Sequence, residues 1–218
     1  HNIMYADKEG NIMYVYNGLI AERDDSFDWS KPVDGSEPDT QWGKYHNLND
    51  LPQLTNPDIG YLQNCNSDPF KTTPDENPRR GRYPRYMTSH QGNTARAERS
   101  KVILDTIEDI SIASLERAIM DTYVHRAAET LPELFEEYER LLDSDEVRAQ
   151  KLRQPIEALK SWNRMAHIGS AETTLYFIYD ELLNSTTEAF MPKIACLEKT
   201  IERITNDKGT WQVPWGEI

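Results

Sequence analysis

The sequence predicts an α+β protein in which a few antiparallel strands are followed by a mainly helical subdomain. Aromatic and β-branched runs lie near the start of the chain, and apolar residues at helical spacing begin at residue 95. Because the strands come first and the helices later, we favour this class over an alternating one. We divide the chain into a strand-rich part (1–76), a basic insertion loop containing proline and glycine (77–94) and a helical part (95–218).

The first predicted element is a β-hairpin over residues 2–18. Its two runs, 3–5 and 12–16, flank a short segment that contains Gly10, the residue type that a tight turn needs. The apolar residues are too continuous for strict alternation, which predicts strands that are buried on both faces. A long loop-rich stretch follows over residues 19–55, and we expect Trp29 and Trp42 to pin it to a surface.

A turn and a further short strand are predicted next. Asn56 and Pro57 favour a turn, and Gly60 frees the backbone before a predicted strand over residues 59–65. The segment ends on a cluster of amide side chains: Gln63, Asn64 and Asn66. An extended segment that ends this way can hold an NH2 group rigidly, as a site that stabilises an oxyanion requires. The start of an ordinary loop is the other interpretation of the same residues.

The second half of the chain carries the signals of five helices. The first helix has an N-cap at Ser111, the second starts at Thr130 with Pro132, and the third starts at Pro155. The fourth covers 171–183, and the fifth covers 193–204 with a stop signal at Gly209.

The charge of the chain limits its partners. The net charge is −13 and the mean hydropathy is −0.75, which argue against nucleic acid and against anionic membrane surfaces. No apolar run approaches the ~20 residues of a membrane span. A basic segment, 77–101, has seven basic residues and one acidic residue. We expect its arginines to pair with the acidic flanks or to lie buried near a site, and an RNA-contacting module at 79–99 stays open as a weaker alternative.

Few residues in this sequence have the spacing of a known catalytic or metal motif. Cys65 and Cys196 are far apart and lack metal-ligand spacing, so we expect buried free thiols, although a disulfide between them stays open. Asp24, Asp25 and Asp28 lack the spacing of an EF-hand loop. The residues alone therefore offer amide donors near position 66 and an arginine cluster, but no nucleophile or general base.

Several motifs occur together in a specific order. The most specific are Tyr5-Ala6-Asp7-Lys8-Glu9-Gly10-Asn11-Ile12 and Asn56-Pro57-x-x-Gly60-Tyr61-x-x-Asn64-x-Asn66. Weaker ones follow at Thr94-Ala95-Arg96 and at Gly209-Thr210-Trp211-x-x-Pro214-Trp215-Gly216. This series resembles the penicillin acylase family, which includes penicillin amidases and acyl-homoserine lactone acylases.

The resemblance implies an N-terminal-nucleophile hydrolase with a four-layer α-β-β-α core, matured from a precursor into α and β subunits. We therefore expect an internal fragment of the β subunit, with the remainder of that subunit and the α subunit as partners. The expected substrate is a small acyl amide, such as a β-lactam side chain or an N-acyl-homoserine lactone. The nucleophilic N-terminal serine is absent from these residues, so the fragment alone is expected to be inactive. The family also implies export, to the periplasm or outside the cell.

The resemblance also assigns roles to individual residues. Asn66 matches the oxyanion-hole asparagine, and Asn64 matches a second asparagine that braces the turn. Arg96 matches an arginine that supports the site, and we expect it to be buried behind Asn66. Because the insertion between these two positions is longer than in the penicillin amidases, Arg99 and Arg85 are alternatives.

No cofactor is implied as a requirement. Some family members bind a structural calcium ion near the position of Asp28 and Trp29, but Asp75 is out of register for the other ligand, so we do not assign this site. The remaining alternative for the whole chain is a non-catalytic helical interaction module related to the acylases.

Overall fold

The computed structural model describes residues 1–88, 92–185 and 191–218. Within these residues the elements are the strands β1 (Asn2–Ala6), β2 (Ile12–Tyr16) and β3 (Gln53–Thr55) and the helices α1 (Ala95–Thr106), α2 (Ile112–Ile119), α3 (His125–Ser144), α4 (Glu146–Ser161), α5 (Ala171–Leu183) and α6 (Lys193–Lys208). Strands followed by helices confirm the predicted α+β class. Two compact units, His1–Ser114 and Leu115–Ile218, make up the chain. The predicted boundaries at 76 and 94 stay predictions.

The three strands form one antiparallel sheet in the order β1-β2-β3. The predicted hairpin is confirmed, with Ile3 opposite Val15 and Gly10 at a φ of +89° in the turn. Strand β2 is central, and its Tyr14 is fully buried. The expectation that both hairpin strands are buried on both faces is wrong for β1, where residues 3–5 are 43–55% exposed. The reason is its position at the edge of the sheet, with one neighbour.

The third strand lies upstream of its predicted place. Residues 59–65 form no strand, whereas residues 53–55 pair with β2. The cause is the turn that follows β3, in which the Gly60 amide donates to the Pro57 carbonyl over 2.9 Å and Gly60 has a φ of +78°. The Asn56 side chain fastens the start of this turn to the hairpin by accepting from the Ile12 amide over 2.8 Å. The chain beyond residue 60 is therefore directed away from the ladder.

In the second unit, the core is formed by the apolar faces of α3, α4, α5 and α6. These side chains are at most 2% exposed: Leu131, Leu134, Ile156, Leu159, Leu175, Leu197 and Ile204. Ion pairs tie the same helices together at the surface, with Arg126 of α3 on Asp180 of α5 and Arg148 of α4 on Glu198 of α6. Burial of this apolar surface stabilises the unit by about 1.5–3 kcal/mol for each large side chain.

The helix ends agree with the sequence signals in three places. Helix α5 has its predicted bounds, the Ser111 hydroxyl accepts from the Ser114 amide over 3.1 Å at the start of α2, and Gly209 ends α6 at a φ of +79°. The two starts predicted from proline are wrong. Pro132 and Pro155 lie inside α3 and α4.

These two helices begin earlier than predicted, at His125 and at Glu146. Asp145 caps α4 by accepting from the Arg148 amide over 3.0 Å, so that α4 begins at Glu146, nine residues before its predicted start at Pro155. An interior proline removes one backbone donor but does not stop a helix that is packed into a core.

Both cysteines are free thiols, as predicted. Cys196 is buried in α6, and Cys65 is only partly buried. Across the described residues, no helix combines the length and the apolar character that a membrane crossing requires.

Leu197→Ala is expected to destabilise the protein by about 2–5 kcal/mol, because it leaves a cavity at a fully buried position of α6. The measurement is urea unfolding followed by circular dichroism. The control is Val147→Ala on the surface of α4, 72% exposed, which should change stability by no more than about 0.5 kcal/mol. Equal effects of the two changes would contradict the assigned core.

Candidate functional site

The site is built around Asn66, which lies exposed in a tight loop after the turn at residue 60. Asn66 has a φ of +61°, in the left-handed region that asparagine adopts more readily than most residues. The Asn64 side chain closes this loop, since its Oδ1 accepts from the Asn66 amide over 3.0 Å and its Nδ2 donates to the Ser67 carbonyl over 3.2 Å. The prediction that Asn64 braces the turn thus has the expected geometry.

Two buried polar side chains fix the loop on either side of Asn66. Upstream, Gln63 is 4% exposed, donates from Nε2 to the Lys71 carbonyl over 2.6 Å and accepts from the Ser100 hydroxyl of α1 over 3.2 Å. Downstream, Asp68 is 6% exposed and pairs with the Arg80 guanidinium over 2.6 Å. Buried polar groups that are fully hydrogen-bonded specify one conformation. The position of Asn66 is therefore set by its neighbours.

Arg80, an arginine of the basic segment, contacts two residues of this loop region, Phe70 and Asp68. Its guanidinium lies over the Phe70 ring, with 4.5 Å to the ring centroid, while it pairs with Asp68. This confirms, for Arg80, the prediction that the arginines of the basic segment pair with acidic residues.

The two residues with predicted site roles are brought together. Arg96, in the first turn of α1, donates from Nη2 to Oδ1 of Asn66 over 3.1 Å, across 30 positions of sequence. This bond occupies the oxygen of the Asn66 side-chain amide, so the NH2 group of that amide points away from Arg96. Among the described residues, nothing accepts a hydrogen bond from that NH2 group.

The family comparison can now be set beside this geometry. A family model described as Penicillin amidase matches residues 1–216 of the 218. The chain belongs to the penicillin amidase family. The match takes in both the loop at residue 66 and the start of α1.

A solved penicillin amidase relative shows the same fold. The chain is similar to the thermostable penicillin G acylase from Alcaligenes faecalis, with a TM-score of 0.61 and 16% sequence identity. The similarity covers 98% of this chain and 48% of that one, so our chain spans about half the length of that acylase.

Of the three candidate arginines, Arg96 is the one whose guanidinium bonds to Asn66. Arg85 instead lines a cavity of about 620 Å³ with Phe27 and Trp29. The expectation that Arg96 is buried is wrong for this chain, where the residue is exposed at the start of its helix.

The long loop before β3 is organised around an arginine rather than pinned by its tryptophans alone. The guanidinium of Arg23 lies 4.4 Å from the ring centroid of Trp42 and 5.2 Å from that of Trp29. Trp42 is 63% exposed, so it is not buried against a surface in the way that we expected for a residue that pins the loop.

Asp28 and Trp29 lie where the family resemblance allows a structural calcium ion. No group of three or more histidine, cysteine, aspartate or glutamate side chains with a metal-binding arrangement occurs in 1–88, 92–185 and 191–218. Hydrogen bonds from Ser30, and then from Lys31, lower the pKa of Asp28 to about 2. Lys31 lies 3.0 Å from that carboxylate. A structural calcium ion near Asp28 and Trp29 therefore stays unassigned.

Two residues that hold the site, Asp68 and Thr94, have no predicted site role, and Gln63 is predicted only as a member of the amide cluster. Thr94 had a signal, because threonine immediately before a helical run is a typical N-cap, and it caps α1 by accepting from the Ala97 amide over 3.1 Å. The burial of Gln63 and Asp68 had no sequence signal, because only the folded loop shows that their side chains are buried.

Asn66→Ala is expected to be less stable than Asn66→Gly by about 1 kcal/mol. Alanine is strained at a φ of +61°, whereas glycine adopts that conformation without a steric cost. Both variants lose the bond to Arg96, so this loss cancels in the comparison. Urea unfolding of the two proteins measures the difference, and an alanine variant as stable as the glycine variant would contradict the assigned backbone conformation.

Proposed function

We propose that this chain supplies the oxyanion-stabilising part of the active site of a penicillin-acylase-like amidohydrolase. The reaction is cleavage of an acyl amide through an acyl-enzyme, on an N-terminal serine that lies outside these residues. The observation that carries the proposal is the bond from Arg96 to Oδ1 of Asn66, which leaves the NH2 group of Asn66 without an acceptor among the described residues. Family membership supports the reaction class.

The role of Asn66 follows from the charge that develops during acyl transfer. When the serine attacks the substrate carbonyl, the carbonyl oxygen becomes negative and needs donors that are already in place. The NH2 group of Asn66 is such a donor, because Asn64, Gln63 and Asp68 hold its loop. Collapse of the tetrahedral intermediate expels the amine, and water then hydrolyses the acyl-enzyme.

Arg96 has two proposed effects. By donating to Oδ1, it holds the Asn66 amide in the orientation in which Nδ2 faces outward, and its charge polarises the amide so that the NH2 group is a stronger donor. Its positive charge also favours the neutral, basic form of the serine's own α-amino group, by repulsion of like charges.

The proposal includes partners, because the chain spans about half of the acylase it matches. The edge strand β1 leaves Ile3, Met4 and Tyr5 43–55% exposed, which favours coverage by further segments. We propose the remainder of the β subunit and the α subunit as those segments, a small acyl amide as the substrate, and a periplasmic or secreted location.

A second candidate is a non-catalytic interaction module. It is favoured by the exposed apolar residues of α2 and its end, with Ile112 and Ile119 both 80% exposed and Met120 75% exposed. Measuring substrate turnover distinguishes the two candidates, because turnover that is lost when Asn66 is replaced is expected only for the hydrolase.

In the assembled enzyme, Asn66→Gly is expected to lower kcat by about 10²–10³, because one oxyanion donor is lost while the backbone conformation is kept. Arg96→Ala should also lower kcat, and Arg96→Lys should restore part of it. The control is Arg82→Ala, an exposed arginine of the basic segment, which should leave kcat unchanged. Hydrolysis of a chromogenic acyl-anilide measures all four, and a near wild-type kcat for Asn66→Gly would place the oxyanion role elsewhere.

Purified residues 1–218 are expected to give no turnover of the same acyl-anilide, because the nucleophile belongs to the absent part. The comparison is the assembled enzyme at equal molar concentration. Clear turnover by the purified chain, abolished by Asn66→Gly, would show that this half carries its own nucleophile.

A further inference from the structure

One hydroxyl group joins the loop of Asn66 to the helix of Arg96. Oγ1 of Thr94 accepts from the Ala97 amide over 3.1 Å and donates to the Cys65 carbonyl over 3.2 Å. A threonine hydroxyl has one donor and two acceptor positions, so both bonds form at once. The first caps α1, and the second holds the residue immediately before Asn66.

A backbone bond holds the same loop on the other side. The Asp68 amide donates to the Gly92 carbonyl over 3.0 Å. The bond from Thr94 to Cys65 and the bond from Asp68 to Gly92 therefore lie on either side of Asn66. Thr94 and Gly92 both belong to the segment that leads directly into α1. Arg96 follows two residues later, in the first turn of that helix.

These bonds matter because packing does not position Asn66. Its side chain is exposed, and its left-handed backbone is held only while the surrounding loop is held. Asn64 determines the shape of the loop, and the bond between Gln63 and Ser100 ties its upstream part to α1. The Thr94 bond is the link to the start of α1 that lies immediately beside Asn66, so the distance between Asn66 and Arg96 depends in part on Thr94.

We propose that Thr94 is a positioning residue for the reaction: it holds the amide of Asn66 in register with the guanidinium of Arg96, and hence with the oxyanion. This inference rests on the proposed function. A displacement of about 1 Å at a catalytic group can lower the rate about 10²-fold, so loss of the hydrogen bond from Thr94 to Cys65 is expected to change kcat measurably.

The test compares two substitutions of Thr94 in the assembled enzyme. Thr94→Val keeps the shape and removes both bonds, and it should lower kcat by about 10- to 100-fold with little change in KM. Thr94→Ser keeps the hydroxyl and should retain kcat within about threefold. A kcat for Thr94→Val equal to that of the wild type would overturn the proposal.

A matched control separates positioning from the loss of a helix cap. Ser170 caps α5 by accepting from the Thr173 amide over 3.0 Å, so Ser170→Ala removes a cap of the same kind in the second unit. Both Ser170→Ala and Thr94→Val should lower Tm, but only Thr94→Val should lower kcat. An equal loss of kcat from both would show that Thr94 acts through stability alone, and would overturn the proposal.

A double variant tests the route through Asn66. If Thr94 acts by placing Asn66, then Thr94→Val should lower kcat no further in the Asn66→Gly background. An equal loss of kcat in both backgrounds would overturn the inference. The proposed function fails by a different result, a wild-type kcat for Asn66→Gly, so the two failures are distinguishable.

Discussion

The hydrogen bond from Arg96 to Asn66 is the interaction on which the direction of the proposed oxyanion donor depends. It joins an exposed arginine to an exposed asparagine, so water competes for both groups, and the net contribution to stability is below the ~1.5–3 kcal/mol of a typical hydrogen bond to a charged group. A bond of that size does not hold a loop in place by itself. The loop is held instead by several bonds around it, and the Arg96 bond then fixes only the direction of one amide.

The two units are stabilised in different ways, and the difference suits the site. The second unit has a continuous apolar core of side chains from four helices. The described apolar core of the first unit is small, made of Val15, Leu51 and Met87 with a few partly buried neighbours. Buried polar groups, such as Gln63 and the Asp68–Arg80 pair, take a larger share there. Directional bonds of this kind specify a geometry more narrowly than apolar contacts do, which an oxyanion donor requires.

The parts of the structure that the sequence could predict are those in which a residue type acts locally. Glycine at positions 60 and 209 permits the backbone conformation that ends a segment, and Ser111 accepts a bond three residues away. The pairing of Asn66 with Arg96 was accessible only through family motifs, because no local signal links positions 30 residues apart.

The failed predictions have two kinds of physical cause: contacts with distant residues in some places, and local turns or caps in others. Pro132 and Pro155 are tolerated inside helices because the faces of α3 and α4 are packed into the core. Residues 59–65 have strand-like composition but no neighbouring strand, since the turn at Gly60 directs them elsewhere. Whether β1 and Arg96 are buried depends on which other segments pack against them, and the sequences of β1 and α1 alone do not specify those segments.

The exposure of Asn66 and Arg96 has a consequence for how such a site works. In water an amide donor is worth little to an oxyanion, because solvent supplies equivalent hydrogen bonds and screens the arginine charge. The same donor gains strength when the surroundings exclude water, since the effective dielectric constant falls and the dipoles no longer need to reorganise. This chain holds the donor rigidly but leaves it in solvent. Under the proposed function, the segment that brings the nucleophile would therefore also have to exclude water for the Asn66 donor to gain this strength.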